Sequence, residues 1–425
     1  MIPRPHGGTL IDRQLAPSEV ARRDAELRAL PRVTLDLGQS FDVAKIATGA
    51  YSPLDGFMGR MALESVVDSG RLLNGLPWPI PIYLAPAGAE NALTIAELSL
   101  GDEVALLDPT GRFIAVLYLR ERYPLPAREI GLGVYGTSDP QHPDIAALAS
   151  TGAVALGGPI EMLRPPAVPL PQYELTPATM RELFRRKGWH GVAAFQTRNV
   201  PHLGHEHLQR QALDREDIDG LLLHPVVGPL KSGDYRPEIV LAAYESLIDH
   251  YYVRDRVALA TLSIAMRYAG PRAALFLAIV RQNFGCSHYI VGRDQAGVGK
   301  FYDPYDCHRI FDQFPLEITP LRFREFAYCP RCGGMVSEKT CGHPPEQRAT
   351  ASQTRVRTAI AERRPLPTEI LRPEVAEILR GAEVVRPAVP DATDRPAELP
   401  TDWVLPSSGQ PRPLAGFRRT TFGPG

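Results

Sequence analysis

The strongest constraint on this chain is a regular alternation between residues 191 and 292. Apolar runs at 191–195, 220–227, 257–264 and 288–292 are separated by helix-competent stretches near 203–215, 237–250 and 271–283. Short runs without polar alternation suit strands covered on both faces, and the intervening helices return the chain across a parallel sheet. The expected fold class is therefore α/β, with a doubly wound parallel sheet. Such sheets bind ligands beyond the carboxyl ends of their strands. Polar strings stand at those ends: 196–205, 224–234, 267–272 and 292–299.

The first string is the most informative. The run ending at Phe195 leads into Gln196-Thr197-Arg198-Asn199, and a helix-competent stretch with His202 and His205 follows. A strand, a loop and a helix N-terminus in that order suit a polyphosphate, because the first backbone N–H groups of a helix lack intrahelical partners and the helix dipole adds positive character. Gly204 removes a side chain where an anion would approach the backbone. His202 and His205, one turn apart, can share a face. Gln196, Arg198 and Asn199 supply amide or fork-shaped donors. Histidines at this spacing also occur as plain surface residues or zinc ligands, so the segment is read as an oxyanion-handling site on the whole string. The glycine-dense turn at 292–299 can present backbone N–H groups to a phosphate. It is not a P-loop, because Phe301 follows Gly299-Lys300 and Asp294 stands where the first glycine belongs.

With 425 residues, the chain has length for two or three domains, and a formal charge of −1 gives no basic surface for nucleic acid or membranes. The start, Met1-Ile-Pro-Arg-Pro-His6, does not resemble a leader, and no apolar stretch reaches the ~18 residues of a membrane span. Five cysteines argue against a disulfide framework and for a cytoplasmic protein. Cys329, Cys332, Cys341 and His343 offer three thiolates and an imidazole, a donor set for a closed, structural zinc site; Cys286 and Cys307 are expected in the core.

Residues 1–165 read as a β-rich domain, with helical spacing over 18–30, a hairpin over 101–119 and an edge strand over 78–84. A proline-rich linker at 163–172 precedes a helix with Thr176 as N-cap, Pro177 at its first position and Gly188 beyond its end. A short amphipathic helix over 371–379 closes the folded part. The expected divisions are 1–165, 166–320, a zinc-bearing subdomain at 321–385 and a proline-rich tail at 386–425.

Gln196-x-Arg198-Asn199-x-x-His202-x-x-His205 resembles the signature of the ATP sulfurylases (sulfate adenylyltransferases), and it contains the His-x-Gly-His of the wider nucleotidyltransferase superfamily. Residues 49–58, 78–82 and 134–143 resemble the PUA-like β-barrel that begins members of that family. Residues 292–297 resemble its Gly-Arg-Asp-His-Ala-Gly, with Gln295 where histidine is usual. The zinc knuckle is similar to that of some bacterial members, and the tail is too short for an appended adenylylsulfate kinase domain. The resemblance implies a Rossmann-like nucleotidyltransferase domain that makes adenosine 5′-phosphosulfate and pyrophosphate from ATP and sulfate, reversibly and by in-line attack.

It further implies roles. Arg198 and Gln196 hold sulfate, with the Ala296 backbone. His202 and His205 bind α,β-phosphate oxygens, and Thr197 and Asn199 donate in the transition state. Gly292, Arg293, Asp294 and Gln295 join Gln196–Asn199, His202 and His205 around the nucleotide. Mg²⁺ accompanies ATP, and a homo-oligomer is common in the family. His224 and Arg272 match family stretches and rank second. Two readings stay open for Thr354 and Arg357: a phosphate-facing role, or an exposed helix start. Two functional alternatives also stay open, an adenylyltransferase with another acceptor and a catalytically silent zinc-bearing scaffold.

Overall fold

The computed structural model describes residues 2–229 and 234–380. The described residues belong to one compact unit. The tail expected at 386–425, positions 381–385, and 230–233 of the second polar string lie outside the described residues.

The first part comprises helices α1 (Pro17–Leu27), α2 (Leu37–Ala47), α3 (Arg60–Ser69), α4 (Ala89–Glu97), α5 (Ala127–Ile130) and α6 (Pro143–Ala149), with strands β1 (Arg32–Thr34), β2 (Gly56–Phe57), β3 (Glu103–Leu107), β4 (Phe113–Tyr118), β5 (Glu121–Pro124) and β6 (Val154–Met162). The strands form one sheet, ordered β1-β3-β4-β6-β2 with β5 also on β6. The 101–119 hairpin is β3 and β4, closed by a turn in which the Asp108 carboxylate accepts from the backbone of Thr110 (2.9 Å) and Arg112 (3.1 Å). The strand expected over 78–84 is not one. Pro79 and Pro81 lack donors for a ladder, and only Leu84 bridges, to Leu156. The segment is core instead: Trp78, Ile80, Ile82 and Leu84 are buried, and Trp78 meets Phe276 edge-on at 5.6 Å.

The second part opens with α7 (Pro177–Arg186), capped by the Thr176 hydroxyl, which accepts from Thr179 N, and ended near Gly188 at φ +68°. A parallel sheet follows, as the alternation predicts: β7 (Val192–Thr197), β8 (Gly220–Val227), β9 (Val257–Leu259), β10 (Leu262–Ser263), β11 (His288–Val291) and β12 (Thr319–Arg322), ordered β10-β8-β7-β11-β12 with β9 also on β8. The single run expected over 257–264 is thus two short strands. The helices between are α8 (Leu203–Leu213), α9 (Pro237–Tyr251), α10 (Pro271–Asn283) and α11 (Asp306–Arg309). Strands β13 (Ala327–Cys329), β14 (Gly334–Val336) and β15 (Ala349–Thr350) form a small antiparallel sheet, and α12 (Gln353–Ala361) and α13 (Pro373–Arg380) end the described chain.

Alternation along β7 sends its two faces to different cores. Ala193 and Phe195 pack with Val240, Leu247 and Val375 of α9 and α13. Val192 and Ala194 pack with Leu277 of α10 and with Trp78 and Tyr51 of the first part. The two parts therefore share one core, and polar bonds reinforce it. Asp42 pairs with Arg267 at 2.5 Å and Lys45 with Glu174 at 2.5 Å, both buried. No helix among the described residues is long and apolar enough to cross a membrane.

Candidate active site

The end of β7 carries Gln196 and Thr197, both buried, on opposite faces. Thr197 shapes the turn: its Oγ1 accepts from Asn199 N at 3.0 Å. His202 is the N-cap of α8, and its Nδ1 accepts from His205 N at 3.3 Å, which leaves the ring proton on Nε2. The two imidazoles stack, centroids 3.8 Å apart. Burial pushes His202 down to about 4 and His205 well below its ordinary range. A positive helix terminus also disfavours a cation there. Near neutral pH, both rings are uncharged N–H donors. The space at Gly204 is not kept for an anion, because a Cβ there would meet the His202 ring at 2.9 Å.

Three of the polar strings meet at Arg198. Its guanidinium pairs with the Asp234 carboxylate beyond β8 and donates to the Tyr268 hydroxyl beyond β10. Arg357 of α12 donates to Asn199 Oδ1 at 2.7 Å, and Gln353 donates to Val200 O at 2.6 Å. The start of α12 thus braces the 196–205 loop. Arg357 takes up a contact with the site, while Thr354 is exposed. Among the described residues no partner meets the buried His205 Nδ1 or Arg357 Nε.

The glycine-dense turn closes the opposite side. Asp294 and Ala296 hold φ of +53° and +59°, a conformation unfavourable for residues with a Cβ and concentrated at functional sites. Ala296 O accepts from Gly270 N at 3.2 Å, which ties this turn to the string after β10. Gly292 O accepts from His308 Nε2 at 3.0 Å, and Arg293 lies 3.6 Å from Glu325. Gln295 and Gln196 both reach the hydroxyl of Tyr289, each at 3.2 Å.

The second-rank candidates lie elsewhere. His224 is fully buried, with Nε2 against Thr261 O at 3.2 Å and its ring on Phe284. Arg272 donates to the Val66 and Val67 carbonyls, both at 2.9 Å, holding the two parts of the chain together. Asp234, Tyr268 and Tyr289 were not singled out by sequence, because their roles arise only where loops from different strands meet.

Away from this site, Cys329, Cys332, Cys341 and His343 converge, their donor atoms within 4.8 Å of one another. Cys332 and Cys341 Sγ are 3.7 Å apart, and His343 Nδ1 lies 3.3–3.4 Å from the three sulfurs. A tetrahedral ion with metal–sulfur bonds of ~2.3 Å and a metal–nitrogen bond of ~2.0 Å requires edges of about 3.8 and 3.5 Å. The residues fit such an ion.

The family model described as ATP-sulfurylase matches residues 171–382, and that of a PUA-like domain matches 3–165. A sulfate adenylyltransferase of Hyperthermus butylicus is 46% identical over 380 residues, spanning 89% of this chain and 96% of the relative. That of Symbiobacterium thermophilum is 47% identical, spanning 88% and 95%. A solved structure described as a hexameric APS kinase from Thiobacillus denitrificans superposes with a TM-score of 0.69 at 25% identity, spanning 89% of this chain and 68% of that one.

Proposed function

Because this chain belongs to the ATP-sulfurylase family and catalyses the reaction of ATP with sulfate to give adenosine 5′-phosphosulfate and pyrophosphate, we propose that the loop from Gln196 to His205, closed by the turn at 292–296, carries it. The observation behind this reading is the convergence at the β7 end of Arg198, Gln196 and two neutral imidazoles, with buried nitrogens that meet no partner among the described residues.

Sulfate is a dianion that must approach an already negative α-phosphate. Arg198 offsets that repulsion, and its five N–H groups leave donors beyond those given to Asp234 and Tyr268. Gln196 and the Ala296 backbone complete the sulfate site. Attack on the α-phosphorus is in line and needs no covalent intermediate, so positioning and charge stabilisation carry the step. His202 and His205 donate to α,β-phosphate oxygens and to the departing pyrophosphate. Asn199, gripped at Oδ1 by Arg357, turns its N–H₂ group to the same oxygens, and Thr197 holds the loop in shape. Gly292, Arg293, Asp294 and Gln295 border the nucleotide. Mg²⁺ accompanies ATP and is held mainly by the phosphates, whose charge it screens.

The Cys329, Cys332, Cys341 and His343 site holds structural zinc, since four protein donors leave no position for a catalytic water. We divide the chain functionally into 1–165, 166–320 and 321–385, with the tail beyond. The reading places the enzyme in the cytoplasm, where thiolate donors stay reduced, and makes it homo-oligomeric, in keeping with the hexamer described for the Thiobacillus protein.

The test is pyrophosphate release from MgATP by the purified chain, with sulfate present, omitted, or replaced by molybdate. Sulfate-dependent release, with molybdate driving futile AMP formation, supports the site. ATP binding without turnover on either oxyanion overturns it.

A further inference from the structure

Tyr289 sits on β11, in register with Ala194 of β7, so its side chain lies on the same face as Gln196 two residues farther along. It is fully buried. Its hydroxyl nonetheless joins two residues of the site. Gln295 Nε2 donates to it at 3.2 Å, and it donates in turn to Gln196 Oε1 at 3.2 Å. A phenol has one proton, and with Gln295 donating to its oxygen that proton is directed at Gln196 Oε1. With Oε1 occupied, the Gln196 amide presents N–H₂ outward. The opposite orientation would present a carbonyl oxygen to a dianion. Burial pushes the Tyr289 hydroxyl up to about 12, against the opposing charge of Arg281 on α10, so the phenol keeps its proton and has it to donate.

We infer that Tyr289 and Gln295 are positioning residues that fix the amide of Gln196 with its donor face toward the oxyanion, so that Gln295 sets sulfate affinity through Tyr289. This rests on the assignment of Gln196 to sulfate made above. The hydrogen bonds run one way, Gln295 to Tyr289 to Gln196, and reversing the first reverses the last. An ionised glutamate at 295 can only accept; it would accept the Tyr289 O–H hydrogen bond and leave the hydroxyl oxygen to accept from Gln196 Nε2.

The experiment compares steady-state kinetics of Tyr289→Phe, Gln295→Glu, the double variant and Gln196→Ala, with sulfate and ATP varied separately and folding checked by circular dichroism. Loss of a hydrogen bond to a charged ligand is worth about tenfold or more. Tyr289→Phe should raise the KM for sulfate several-fold with a smaller change for ATP. Gln295→Glu should raise the sulfate KM at least tenfold, and in the Tyr289→Phe background it should add little further. An unchanged sulfate KM in Tyr289→Phe, or full additivity in the double variant, overturns the inference. Should Tyr289→Phe not fold, Gln295→Glu decides alone: a sulfate KM that stays put, or moves no more than that for ATP, overturns it. Gln196→Ala separates this from the underlying assignment. If it raises the sulfate KM while the other variants do not, only the positioning chain fails; if it leaves the sulfate KM unchanged, Gln196 is not a sulfate ligand.

Discussion

The two stacked imidazoles at the head of α8 should make the protein acid-labile, by an amount the structure fixes. An imidazole whose folded value lies below its unfolded value stabilises fully above the unfolded value, and that contribution is lost as pH falls from there toward the folded value. For His202 these limits are 6.5 and about 4. At about 1.4 kcal/mol per tenfold change, the full span is worth about 3.4 kcal/mol. At pH 5, where the unfolded ring is mostly charged and the folded ring is not, about 2 kcal/mol is gone. His202→Asn isolates this share, because asparagine caps a helix well and does not titrate. Denaturant titrations at pH 8 and pH 5 should show the variant losing about 2 kcal/mol less than the parent between the two conditions. Removing the neighbouring ring also eases protonation of His205, which acts in the same direction. If both proteins lose the same stability, the His202 ring is not held neutral by burial, and the picture of two neutral donors at the helix start falls with it.

Other perturbations separate chemistry from folding. Arg198→Ala should abolish sulfate-dependent pyrophosphate release while the melting curve stays close to that of the parent, and near-normal turnover would refute its role at sulfate. Replacing His202 should also lower kcat by more than it weakens nucleotide binding; an effect confined to affinity would restrict that ring to ground-state binding. Asp42→Ala leaves Arg267 buried without its carboxylate, so denaturation should show a loss of about 3–5 kcal/mol; a loss under about 1 kcal/mol would mean that water reaches the guanidinium. Elemental analysis should find one zinc per chain, and Cys341→Ser should release it and lower the melting temperature without changing the KM for sulfate. Retention of full metal content in that variant would remove Cys341 from the ligand set.

Much of this was legible in the chain itself because it depends on local periodicity. Apolar runs too short for helices, separated by helix-length amphipathic stretches, leave a parallel sheet as the arrangement that buries both faces, and β7, β8 and β11 with α8–α10 stand where the pattern puts them. Thr176 acts through a hydroxyl bond three residues on, and Pro177 and Gly188 through their own backbone geometry, so their reading held as well. Proline misled over 78–84 in an instructive way. The alternation of large apolar side chains marked burial correctly, but Pro79 and Pro81 have no N–H to give, so the segment is core without being strand. The 257–264 run was read as one strand because periodicity does not register the interruption between Leu259 and Leu262.

What the sequence marked by itself is therefore the alternation of β7, β8 and β11 with α8–α10, the donor set of the cysteine and histidine cluster, and the loop we propose to meet an anion, each written in residues close together along the chain. Tertiary structure decided the partners. That Arg198 faces Asp234 and Tyr268, that Arg272 clamps the first part of the chain, and that Gln295 reaches Gln196 through Tyr289 all follow from which strands are neighbours and in what register. The physical reason is that a hydrogen bond depends on positions to within tenths of an ångström, whereas periodicity records only which face of an element is buried.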